Sequence, residues 1–131
     1  MAKNNNKNQI IIPNEVFPKP TASEISAAYI LCDFFGVDVE FIPRNNCKTP
    51  DLIISGIAWE LKTPTGDGKR NLQHTINRAI KQSQYIIIDV RFSKMHIAKI
   101  KGKLCCEIKK NQRIKRLLLI DKQKNVVEIF R

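Results

Sequence analysis

The chain has 131 residues, 23 of them lysine or arginine against 12 aspartate or glutamate, for a formal net charge of +11 and a pI near 9.8. That length suits one domain with a core of its own, and no internal repeat or interior linker divides it. No stretch is long and apolar enough to span a bilayer and no membrane partner is expected; the charge points to a polyanion, nucleic acid above all, with a solvated lysine face, acidic lipid or an acidic protein as the competing readings.

In chain order, Met1 to Gln9 is rich in asparagine and lysine, lacks the apolar region of a signal peptide and reads as a disordered tail, so that residues 1–20 lead into a single domain over 21–131. Thr21 to Phe35 reads as a helix: Thr21-x-x-Glu24 has the form of a capping box, Ile25, Ala28, Tyr29 and Cys32 recur at helical spacing, and Gly36 closes it. Val37 to Ile42 alternates Val37, Val39 and Phe41 with Asp38 and Glu40, the pattern of a half-buried strand.

Leu52 to Ser55 and Ile57 to Leu61 then read as a hairpin turning at Ser55-Gly56, where glycine tolerates positive φ. Strand alternation puts Asp51, Ile53, Ala58, Glu60 and Lys62 on one face and Leu52, Ile54, Ile57, Trp59 and Leu61 on the other, with Asp51 opposite Glu60. Opposed carboxylates repel. Lys62 offsets that cost, or a divalent cation does, since hard cations favour oxygen ligands; the bland alternative is a solvated strand end. After the loop Thr63 to Gly68, Arg70 to Ser83 carries Leu72, Ile76, Ala79 and Ile80 on one helical face, and Tyr85 to Val90 is an apolar run suited to a strand covered on both sides. The core order is αβββαβ. Ser93 to Arg131 reads as a peripheral addition: a lysine-rich helical stretch from Lys94 towards Lys109, interrupted near Gly102, then strands Leu117 to Ile120 and Val126 to Phe130 around the turn Asp121 to Asn125.

Much of the positive charge lies in Lys94, Lys99, Lys101, Lys103, Lys109, Lys110, Arg113, Lys115 and Arg116. Cys32, Cys47, Cys105 and Cys106 lack the paired spacing of a zinc site, and His74 and His96 are isolated. With no secretory signal, a reduced, cytoplasmic setting is the default.

Pro50-Asp51, the hairpin and Glu60-Leu61-Lys62 resemble the signature of the PD-(D/E)XK nuclease superfamily, and the element order agrees with its α/β core, a mixed central sheet flanked by helices. Four segments, Ser23-Glu24-Ile25-Ser26-Ala27-Ala28, Lys48-Thr49-Pro50-Asp51, Trp59 to Gly66 and Arg78-Ala79-Ile80-Lys81-Gln82-Ser83, are similar to the C-terminal transfer-RNA nuclease domains of contact-dependent growth inhibition toxins. The resemblance implies a metal-dependent endonuclease acting on tRNA, with Mg²⁺ or Mn²⁺ held by Asp51, Glu60 and the Leu61 carbonyl, Lys62 orienting the attacking water or stabilising charge on the phosphate, and an immunity protein as a further partner. Glu24 is either a fourth acid at the metal or only the closing member of its capping box. Thr63, Lys69 and Arg70 of the loop and Arg78, Lys81 and Gln82 of the following helix are the candidate substrate contacts; each is otherwise a connection or a solvent-facing helix residue. A DNA endonuclease of the same fold, or a basic nucleic-acid- or partner-binding protein without catalysis, are the alternatives.

Overall fold

The computed structural model describes residues 8–43, 49–68 and 70–131. Among these residues seven strands form one mixed sheet whose spatial order follows the sequence: β1 (Ile10–Ile11), β2 (Val39–Phe41), β3 (Leu52–Ile54), β4 (Ile57–Lys62), β5 (Tyr85–Asp89), β6 (Arg116–Ile120) and β7 (Val126–Ile129). β1 lies parallel to β2, β2, β3 and β4 alternate in direction, β4, β5 and β6 are parallel, and β7 returns antiparallel to β6. Three helices fill the crossovers: α1 (Ala22–Phe35) after β1, α2 (Asn71–Ala79) after β4 and α3 (Ile97–Lys110) after β5.

Local chemistry explains the punctuation. Thr21 Oγ1 accepts from the Glu24 N–H at 3.1 Å while Glu24 Oε1 accepts from the Thr21 N–H at 2.8 Å, so the capping box opens α1. Gly36, at φ +69°, ends it in the left-handed conformation. The hairpin turn places both Ser55 (φ 51°) and Gly56 (φ 79°) at positive φ, as a two-residue turn that matches the strand twist requires. Asp121 Oδ1 accepts from the Gln123 and Asn125 N–H groups and so builds the last turn, between β6 and β7.

Residue parity sorts the sheet into two cores. Leu52, Ile54, Trp59, Leu61, Ile87, Leu118 and Ile120 pack with Ala27, Ala28, Leu31 and Cys32 of α1. On the other face Ile86, Ile88, Leu117 and Leu119 pack with Leu72, Ile76 and Ala79 of α2 and Ile100, Leu104 and Ile108 of α3. Because β5 and β6 are covered on both sides, their sequences are continuous apolar runs rather than alternating ones.

Several expectations are corrected. The segment after Ser93 is not peripheral: β6 is an interior strand whose Leu117, Leu118, Leu119 and Ile120 are all 0% exposed, and burying each such side chain contributes about 1.5–3 kcal/mol. Gly102 does not interrupt α3, because Ile100, Leu104 and Ile108 fasten the helix to the sheet and outweigh the roughly 1 kcal/mol that glycine costs. α2 stops at Ala79 rather than Ser83, since the Ser83 hydroxyl donates to the Ala58 carbonyl at 2.7 Å and accepts from the Tyr85 N–H, turning the chain into β5. Within the lead-in, Ile10 and Ile11 join the sheet and Val16 is buried; most of the segment read as a tail lies outside the described residues. Among those residues, no helix is long and apolar enough to cross a membrane.

Candidate active site

The C-terminal ends of β4, β5 and β6 share one end of the sheet with the start of β3, which runs antiparallel to β4. In open α/β sheets this is the end at which crossover loops leave room for ligands. Asp51, Glu60 and Lys62 meet there.

Alternation placed Asp51 opposite Glu60, and their side chains do interact, but Asp51 itself lies one residue before β3. The Asp51 N–H donates to the Trp59 carbonyl at 3.0 Å, although Trp59 is already the register partner of Leu52. The Asp51 carbonyl accepts from Ile42, and its carboxylate Oδ2 accepts from the Leu61 N–H at 2.9 Å. A side-chain oxygen thus continues the ladder where the backbone departs from it, and this bond fixes the carboxylate against β4. The N–H and C=O of a strand residue point to the same edge, so the Leu61 carbonyl also belongs to the edge that Asp51 occupies.

Glu60 is only 4% exposed. Its Oε2 lies 3.1 Å from Lys62 Nζ, whose side chain is 30% exposed and forms the wetter side of the cluster. Its Oε1 is buried and, among the described residues, has no hydrogen-bond donor. Burial first, and the Asp51 charge second, push the Glu60 carboxyl up to about 8, with Lys62 pulling the other way. A buried carboxylate oxygen beside a second carboxylate, with one lysine between them and solvent, is an electrostatic deficit that a hard cation would relieve. Two carboxylates and a main-chain carbonyl are the donors Mg²⁺ or Mn²⁺ prefers. Among the described residues no three His, Cys, Asp or Glu side chains gather into a cage, so an ion held here would keep water or phosphate oxygens among its ligands.

The other residues named from sequence are distributed unevenly. Glu24 is placed in its capping role at the start of α1 and is not gathered with Asp51 and Glu60 into a three-acid cluster. Thr63 directly follows Lys62. Arg70 is exposed at the start of α2 and makes no side-chain cap; Lys69 lies outside the described residues. Arg78, Lys81 and Gln82 sit at the far end of α2, where Ser83 is anchored to Ala58. Ala58 precedes Glu60 by two strand positions, or ~7 Å, on the same face of β4, so this end of α2 is seated beside the strand that carries the acid. Gln82 Oε1 is buried and has no partner among the described residues. The charge of Arg116 is offset on the surface: it pairs with Glu128 through two bonds and lies over the Trp59 ring.

Sequence reasoning missed the buried pair Asp89–Arg91. Arg91 Nε and Nη2 donate to the two Asp89 oxygens at 2.9 and 2.8 Å, and the same guanidinium donates to Ser26 Oγ and the Ser23 carbonyl, tying the first turns of α1 to the end of β5. The signal was an acid closing an apolar strand with an arginine two positions on. Loops 63–68 and 90–96 are also joined, through Ser93 Oγ to the Gly66 carbonyl and the Lys94 N–H to the Thr65 carbonyl.

Comparison with known proteins gives two findings. The family model for the contact-dependent growth inhibition CdiA C-terminal domain matches residues 48–126, more than half of the chain and the part that holds Asp51, Glu60 and Lys62. A solved CdiA-CT/CdiI toxin and immunity complex from Burkholderia pseudomallei superposes with a TM-score of 0.63 at 20% identity, covering 95% of this chain and 100% of that one; the likeness is one of fold. Among curated proteins none matches.

Proposed function

The chain belongs to the contact-dependent growth inhibition CdiA C-terminal domain family, and from that premise we propose that it is a toxin nuclease of PD-(D/E)XK type, a metal-dependent endoribonuclease that hydrolyses tRNA. The observation that carries the reading is Glu60, a buried carboxyl set against Asp51 and Lys62 whose Oε1 has no donor among the described residues. A structural ion pair has no use for an unsatisfied oxygen; a ligand awaiting Mg²⁺ or Mn²⁺ does. The choice of tRNA rests on the four segments similar to the tRNA nuclease domains.

In this reading Asp51, Glu60 and the Leu61 carbonyl hold the ion. When bound it supplies Lewis acidity at the scissile phosphate and lowers the pKa of water. The Leu61 N–H keeps Asp51 turned towards the site. Lys62, paired with Glu60 yet part-exposed, donates to the attacking water or to a non-bridging phosphate oxygen as negative charge builds there. Thr63 and Arg70 flank the entry as contacts to the strand being cut. Arg78, Lys81 and Gln82, at the end of α2 that Ser83 fastens to Ala58, are further contacts to the substrate. Glu24 is retained only as an acid of the neighbouring α1 turn. The site of action is the cytoplasm, where tRNA is found, and a cognate immunity protein is the protein partner, by analogy with the complex from Burkholderia.

The test is incubation of the purified protein with a tRNA pool and with duplex DNA, each with Mg²⁺ or EDTA. Cleavage of tRNA that requires Mg²⁺ and falls at least about a hundredfold in each of Asp51→Ala, Glu60→Ala and Lys62→Ala is expected. Full activity in a folded Glu60→Ala protein would remove the assignment; cleavage confined to DNA would keep the nuclease and discard the substrate.

A further inference from the structure

We infer that Phe92 is a stacking platform for an unpaired base of the RNA substrate; the inference rests on the nuclease reading and adds to it a residue that reads the strand. Singly exposed apolar side chains are common, so the case for Phe92 rests on what holds its ring and on where it stands. Phe92 is 51% exposed, while its neighbour Arg91 is buried and immobilised by the two Asp89 oxygens and by α1. The Arg91 guanidinium carbon stands 5.0 Å from the centroid of the Phe92 ring, within the range of a cation–π contact. The ring is therefore oriented from beneath by a fixed cation, and half of its surface remains available.

Position decides what would occupy that surface. Exposed Phe17, Tyr29, Phe34 and Phe130 lie on other segments. Phe92 stands on the loop that leaves β5, bonded through Ser93 and Lys94 to the loop that begins immediately after Lys62. The two loops form one rim at the catalytic end of the sheet. Lys94, also exposed on this rim, supplies a phosphate contact two residues from the ring. An aromatic face beside a lysine, next to a site that cuts phosphodiesters, matches a splayed nucleotide: base on the ring, backbone on the ammonium. Duplex stems present no free base face, so the platform selects loops and single strands.

The experiment uses full-length protein in EDTA, which prevents cleavage, and a short single-stranded RNA carrying one 2-aminopurine, scanned along its length. Stacking quenches the probe at one position in wild type and in Phe92→Trp. Phe92→Leu keeps an apolar cover over Arg91 but has no π face; it is expected to lose the quenching and at least about fivefold in affinity by anisotropy, with an unchanged melting temperature and retained salt-dependent binding. In Mg²⁺ its kcat/KM on tRNA falls by a similar factor. Equal quenching and affinity in Phe92→Leu would overturn the platform and leave the nuclease standing. No salt-dependent RNA binding by any of the proteins would overturn both.

Discussion

At Glu60, burial and the neighbouring Asp51 favour the neutral acid while Lys62 favours the anion, and the balance lies on the side of the acid, at about 8 against an ordinary 4.5. The sign of the consequence follows from proton counting. Between those values the folded state holds a proton that the unfolded state has released, so Glu60 contributes stability that is fully present below about 4.5 and is lost as pH rises through about 8. In metal-free buffer, the melting temperature of the wild type should therefore decline between pH 5 and pH 8.5 relative to Glu60→Gln, which cannot ionise. Mg²⁺ at pH 8.5 should raise the melting temperature of the wild type and leave Glu60→Gln unmoved, because a ligand that binds only the folded state stabilises it by mass action. Parallel profiles for the two proteins, or an equal response to Mg²⁺, would show that Glu60 carries no such conflict.

Among the elements, α3 shows most clearly how packing overrides propensity. Gly102 lies at its exposed side, has no positive φ, and a Cβ built there meets nothing within 4 Å. Gly102→Ala should stabilise the protein by about 0.5–1 kcal/mol, read as a higher urea midpoint at constant slope; destabilisation would mean that the helix needs a flexible point there. The same glycine marks the limit of what the sequence disclosed. Capping, turn and alternation signals, all local, located α1, the hairpin and β5, and placed Glu60 and Lys62 on one face. The bulge-like entry of Asp51 was hidden, because it depends on Ile42, just past β2, and Leu61 of β4 meeting Asp51. The role of β6 was hidden too. A four-residue apolar run reads alike at an edge or in the centre, and only its pairing with β5 and β7 tells them apart. The α2 contacts were named on helical spacing and on resemblance, and only the fold shows that the Ser83 bond to Ala58 seats their end of α2 against β4.

For the whole molecule, the net charge of +11 becomes directional once α3 is in place. α3 buries Ile100, Leu104, Glu107 and Ile108 and leaves Lys99, Lys101, Lys109 and Lys110 on its outer side, on the same face of the sheet as α2. Its first turns follow directly from the end of β5, so Lys94, Lys99 and Lys101 stand nearest the catalytic end while Lys109 and Lys110 trail away from it. A polyanion engaged at Asp51, Glu60 and Lys62 would meet the first three before the last two. Replacing Lys94, Lys99 and Lys101 together by alanine should weaken tRNA binding and reduce the slope of log affinity against log salt by about two, since each phosphate contact contributes about 0.7–0.9. Because none of the three touches the reacting atoms, KM should rise while kcat holds. Arg78→Ala with Lys81→Ala, at the far end of α2, is the matched comparison. A greater loss of slope in that pair than in the lysine triple would place the RNA along α2 rather than α3.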